Sequence, residues 1–82
     1  MKLEEFKKLW QELVPNYAGV KTLSDVMRYP PVVVKVQKGR KAVGVEVRAY
    51  SVGVNDTVVL YSGYGVYTYP LSVIVGVEEV GK

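Results

Sequence analysis

The chain of 82 residues has no cysteine and no histidine. The first absence removes the disulfide staples on which small secreted domains often rest, and the thiol nucleophile with them. The second removes the commonest general base, and together they take away the usual ligands of zinc, copper and iron–sulfur sites. The eight carboxylates are scattered, so a paired-carboxylate hydrolytic site has no sequence support. A non-enzymatic protein without cofactor or metal is expected. Nowhere does an apolar stretch approach the roughly 18 residues of a membrane-spanning helix, and Glu4 and Glu5 disagree with a secretory leader, so a cytoplasmic protein is expected. Asn and Gln number only four together, and Lys, Arg and Glu carry most of the charge, a composition like that of heat-adapted proteins.

Valine dominates what is present: of 19 valines, 16 fall after residue 31. The change of character at Pro30-Pro31 divides a single domain, 1–82, into a helical front of 1–30 and a β-rich body of 31–82. In the front, Leu3, Phe6, Leu9, Trp10 and Leu13 recur at the spacing of one helical face, which predicts an amphipathic helix over about 3–14 ended by Pro15. Thr22 with Asp25 three positions on resembles a capping box, and Leu23, Val26 and Met27 supply a short apolar face, predicting a second helix over about 22–29.

From Val32 the pattern alternates. A two-residue turn at Gly39-Arg40, with Gly first as a type II′ hairpin prefers, sets Val32, Val34 and Val36 opposite Val47, Val45 and Val43 on the inner face. Lys35, Gln37, Glu46 and Arg48 then go to the other face. A turn at Asn55-Asp56 would pair Tyr50 with Tyr61 and Val52 with Val59 outward, leaving Ser51, Val58 and Leu60 inward. A third turn at Gly63-Tyr64 would bring Tyr67 and Tyr69 inward. A last strand over about 73–80, with Val73, Val75 and Val77 alternating, follows a short Pro70-Leu71-Ser72 break. Five short antiparallel strands over about 32–80 bury their apolar face by closing into a small barrel, so the predicted class is α+β.

A strand, the Pro70-Leu71-Ser72 break and a valine-rich final strand over 67–80 resemble the end of SH3-like small barrels. The resemblance spans 32–80 and is one of layout. The leading helix is similar to that of the Sm-like branch, but the glycine-containing signatures of Sm proteins near the last strands are not present, so no binding residue is carried over. An OB-type barrel is the alternative architecture, though it usually has longer strands and loops.

Charge then points to a surface. Residues 1–14 sum to zero, whereas Lys35, Lys38, Arg40, Lys41 and Arg48 against Glu46 give +4 over 35–48, more than the whole net charge of +3. On the predicted register Lys35 and Arg48 share a face with Tyr50 and Tyr61, while Lys38, Arg40 and Lys41 crowd one hairpin tip. Cations meeting phosphates and tyrosines stacking on bases would make a module for DNA or RNA. The alternative is a protein-interaction or self-assembly module, using the amphipathic helix or the barrel surface. Charged tips also serve to keep sheet edges apart, and Tyr50 with Tyr61 would form an ordinary cross-strand pair. The leading helix would cover that pair if Phe6, Leu9 and Trp10 settled on the same face.

Overall fold

A computed structural model describes residues 1–81; Lys82, the last residue of the expected domain span, lies outside the described residues. The helix α1 runs over Leu3–Leu13, with Val14 beyond its end donating its N–H to the Trp10 carbonyl at 2.8 Å. Its apolar stripe buries Phe6 and Trp10 completely. The second helix, α2, is only Leu23–Val26, shorter than the predicted 22–29. The Asp25 carboxylate accepts the N–H groups of Lys21 and Thr22 at 2.9 and 3.0 Å, which starts the turn and holds that carboxyl below its usual pKa. The N–H groups of Met27 and Arg28 each bond three residues back, and two prolines follow, so the turn cannot lengthen. Only Val26 of the expected apolar face goes inward; Leu23 and Met27 are 79% and 66% exposed.

Six strands follow, not five: β1 Val32–Lys38, β2 Lys41–Val47, β3 Ala49–Val52, β4 Thr57–Ser62, β5 Gly65–Pro70 and β6 Ile74–Glu79. They form two three-stranded antiparallel sheets, ordered β2-β1-β6 and β3-β4-β5. The expected closed barrel is therefore corrected to a pair of open sheets. The extra strand arises at Arg48, where the predicted second strand bends and changes sheet. Val47 and Ala49 on either side are fully buried, and the Arg48 N–H crosses to the Tyr61 carbonyl at 2.9 Å. Its guanidinium donates to the Tyr29 carbonyl at 3.2 Å, which ties the bend to the chain leaving α2.

The first hairpin has the predicted register, with Val32↔Val47, Val34↔Val45, Val36↔Val43 and Lys38↔Lys41. Gly39 has φ +62° and Arg40 is not among the positive-φ residues, as a type II′ turn requires. The hairpin outruns its core: Val34 and Val36 are buried, Val45 is half-buried, and Val43 at the tip is 41% exposed. The second hairpin differs from prediction by one residue. Gly53 N–H bonds the Thr57 carbonyl at 2.9 Å, leaving a three-residue loop, Val54-Asn55-Asp56, with Asn55 and Asp56 both at positive φ. Tyr50 thus pairs with Leu60 and Val52 with Val58, and Tyr50 turns inward. The turn at Gly63-Tyr64 is as predicted, setting Leu60↔Tyr67 and Val58↔Tyr69. Of those two tyrosines Tyr69 is half-buried, while Tyr67 lies past the edge of the core and is exposed.

A single 3₁₀ turn, Leu71–Val73, replaces the short break and buries Leu71. In β6 a bulge opposite Lys35 and Val36 corrects the simple alternation of Val73, Val75 and Val77. Ile74 pairs with Val36 and Val77 with Val34, both buried, and the extra residue Val75 is pushed to solvent. One core results, in which Val32, Val34, Val36, Val47, Ile74 and Val77 of one sheet meet Ala49, Tyr50, Val58 and Leu60 of the other. Phe6, Trp10 and Val14 join the same cluster, with α1 lying against β6.

Candidate functional site

The seven residues singled out from the sequence do not form one surface. Lys38, Arg40 and Lys41 stand exposed at the β1–β2 tip and make no ion pair among the described residues. Lys35 is half-buried on the outer face, its Nζ 3.9 Å from Glu78 Oε2. The glycines opposite it, Gly44 and Gly76, leave room for its stem to lie across the sheet. Arg48 is half-buried and committed to the Tyr29 carbonyl. Tyr61 is half-buried and accepts the Ser51 hydroxyl at 2.8 Å.

Tyr50 is 9% exposed and belongs to an aromatic cluster under α1. Its ring centroid lies 5.0 Å from Phe6 and 4.8 Å from Trp10, both edge-on, and 4.9 Å from Tyr17, stacked. The helix therefore covers this tyrosine and closes it to a stacking base. Tyr29 extends the cluster 4.8 Å from Tyr17, and its hydroxyl accepts the Ala18 N–H at 3.1 Å. The indole Nε1 of Trp10 is buried without a partner among the described residues, and nothing in its surroundings gives a physical account of that.

The Tyr17 hydroxyl has a second role, because it behaves like a neighbouring strand. It accepts the Tyr50 N–H at 2.9 Å and donates to the Tyr50 carbonyl. The Gly53–Thr57 bond fixes which groups of β3 face β4: those of Ala49, Ser51 and Gly53, so Tyr50 faces the free edge. Tyr17 thus fills the outer edge of β3 with a side chain. Burial is the main reason its phenol is pushed up to about 12, partly opposed by the bond from the Tyr50 backbone. Burial raises Tyr50 as well.

The opposite edge of the same sheet has no such cover. By the same alternation, Val58, Leu60 and Ser62 of β4 bond to Tyr69, Tyr67 and Gly65 of β5, so the N–H and carbonyl groups of Val66 and Thr68 face outward. Among the described residues no strand pairs with β5 on that side. The strand carries no charge, and neither does any of the 21 residues of 57–77 between Asp56 and Glu78. Val66 is 58% exposed and Tyr64, at the adjoining turn, 91%. With Leu23, Met27 and Tyr61 these two line a shallow apolar groove between α2 and the β4–β5 turn. Alternation alone does not mark this edge; its signal in the sequence is the absence of charge over 57–77.

Among the described residues no helix is long and apolar enough to cross a membrane, and no three His, Cys, Asp or Glu side chains gather where they could hold a metal ion. Comparison with protein-family models, with curated proteins and with solved structures finds no match.

Proposed function

We propose that this chain is a small non-catalytic interaction module of the cytoplasm that binds an extended strand along β5. The uncharged open edge at Val66 and Thr68 carries this reading. Natural sheets blunt their edges with lysine, proline, bulges or covering elements; β5 has one such residue, Pro70 at its end, and an exposed apolar edge otherwise bare of them favours strand addition. The lack of histidine and cysteine supports binding over catalysis. As a fold reading, the 3₁₀ turn between the last two strands supports affinity with SH3-like small barrels in layout. The test is a titration of isotope-labelled protein with an uncharged peptide copying residues 64–70. The amides of Val66 and Thr68 should shift and become protected. Shifts confined to the β1–β2 tip, or none, would refute it.

One observation favours a second reading, nucleic-acid binding. Lys38, Arg40 and Lys41 are exposed together without an ion pair among the described residues, so they are the three cations of the sequence prediction open to phosphate. Lys35, Arg48, Tyr50 and Tyr61 would contribute little, given their partners and burial. Three phosphate contacts correspond to a slope of about −2.7 in log affinity against log salt on duplex DNA. Changing Arg40→Glu and Lys41→Glu should abolish binding to mixed oligonucleotides at low salt, and unchanged binding would remove this reading.

A further inference from the structure

We infer that the strand taken up by β5 is β5 of a second copy, joined about a two-fold axis through Tyr67 into a continuous six-stranded sheet. This inference rests on the strand-addition reading above and names its partner.

The other edges are unsuited to receive a copy. The β3 edge is filled at Tyr50 by the Tyr17 hydroxyl. The β6 strand lies against α1, contains the bulge at Val75 and ends in Glu78 and Glu79. The β2 strand starts at Lys41 in the cationic tip and carries Glu46. A second copy therefore meets a charged strand or a blocked or bulged backbone at each of these, and meets none of them at β5. Both copies carry +3, but the basic residues of 35–48 sit on the other sheet or at its bend, not on β5.

The backbone of β5 also selects one antiparallel register. Its outward groups are those of Val66 and Thr68, while Pro70 offers a carbonyl but no N–H. Setting Thr68 opposite Thr68 of the second copy would place Val66 opposite Pro70 and lose a bond at each end, leaving the Val66 carbonyl of each copy unmatched. Setting Val66 opposite Val66 would place Thr68 opposite Tyr64, whose N–H is already given to Ser62 Oγ at 3.0 Å. Centring the axis on Tyr67 puts Val66 opposite Thr68 of the second copy at both ends. Each N–H then finds a carbonyl, giving four bonds and no unmatched group between the two residues. Tyr67 falls opposite itself in a non-hydrogen-bonded pair, where side chains approach most closely and aromatic pairs are favourable. Such an edge is short compared with interfaces of about 1,200–2,000 Å², so the dimer is concentration-dependent.

The experiment is sedimentation of the full chain from about 1 μM to about 1 mM, with two edge variants chosen to keep the fold and two cysteine variants that report the register. A monomer–dimer equilibrium is expected. Val66→Lys adds a charge to an exposed side chain, and Thr68→Pro removes an N–H that does not serve β4. Each should raise the dissociation constant more than about tenfold. Circular dichroism of each variant must match the parent. The absence of cysteine makes Tyr67→Cys a reporter of register. The Cα atoms of a non-hydrogen-bonded pair stand about 4.5 Å apart, within the span of about 4.4–6.8 Å that a disulfide accepts. That variant should crosslink on mild oxidation, whereas Val66→Cys, whose copies would stand roughly 8 Å apart, should not. A monomer throughout, a dimer indifferent to both edge variants, or crosslinking of Val66→Cys in preference to Tyr67→Cys would overturn the inference. If the chain remains monomeric but binds the 64–70 peptide at Val66 and Thr68, only the identity of the partner fails. If β5 accepts neither, the strand-addition reading fails with it.

Discussion

Replacing Tyr17 by Phe removes one oxygen atom and, with it, the hydroxyl that serves both the N–H and the carbonyl of Tyr50. The ring contacts with Trp10, Tyr29 and Tyr50 can persist, so the apolar contribution is nearly unchanged. Each intramolecular hydrogen bond contributes about 0.5–1.5 kcal/mol net, so the two together amount to about 1–3 kcal/mol. For a domain of this length each kcal/mol shifts the midpoint by about 4–8 °C, and a central loss of about 2 kcal/mol lowers Tm by about 8–16 °C. Tyr50→Phe is the matched control. Its hydroxyl makes no hydrogen bond among the described residues, and the change should stay within about 0.5 kcal/mol. Thermal unfolding of both variants, read by circular dichroism, measures the difference. Hydrogen exchange at the Tyr50 amide locates it, because that N–H loses its acceptor only in Tyr17→Phe. Equal and small losses in the two variants, with Tyr50 exchange unchanged, would refute the view that a side chain closes the β3 edge.

The Tyr17 phenol, lifted from its ordinary 10.0 to about 12, gives a pH dependence of defined sign. An unfolded chain releases that proton near its ordinary value while the folded chain retains it, so stability contributed by the shift is whole below pH 10 and falls as pH rises towards 12. Denaturant midpoints across this range should decline, and tyrosine absorbance should contain a late-titrating component lost in Tyr17→Phe; a simultaneous titration of all tyrosines would contradict this. Trp10→Ala, at a fully buried position, should cost about 3–5 kcal/mol in urea unfolding. Val34→Ala should cost about 1–3 kcal/mol while Val43→Ala costs under about 0.5 kcal/mol, although both lie on one face of the hairpin; similar costs would place the end of the core wrongly. Gly39→Ala should lose about 1–2 kcal/mol through its φ of +62° alone, since a Cβ there meets nothing within 4 Å.

The first hairpin was legible because two independent signals agreed on it. Alternating valines demand one register, and a glycine at the first turn position supplies it. The leading helix was legible through Phe6 and Trp10, whose spacing leaves few other places for so large an apolar surface. The bend at Arg48 was not, because an alternating strand reads the same whether it stays in one sheet or passes to the next. Its cause is tertiary, the bonds to Tyr61 and Tyr29 made by distant parts of the chain. The start of the second helix was legible in Thr22 and Asp25, but its length was not, because Leu23 and Met27 suggested a longer buried face and their side chains remain in solvent.

The loop after β3 decided the candidate site. With a two-residue turn, Tyr50 and Tyr61 would share an outer face beside Lys35 and Arg48, and the cations would have an aromatic platform. Val54 enters the loop instead, and because side chains alternate with a period of two, one added residue sends Tyr50 to the core while Tyr61 stays out. Tyr50 then becomes the surface on which α1 lands, through Phe6 and Trp10, and the group whose backbone Tyr17 completes. The same cover that closes the β3 edge leaves β5 as the open, uncharged edge of its sheet. The displacement of one residue therefore takes the aromatic platform away from the cations, and the edge proposed for strand addition lies on the opposite side of the second sheet.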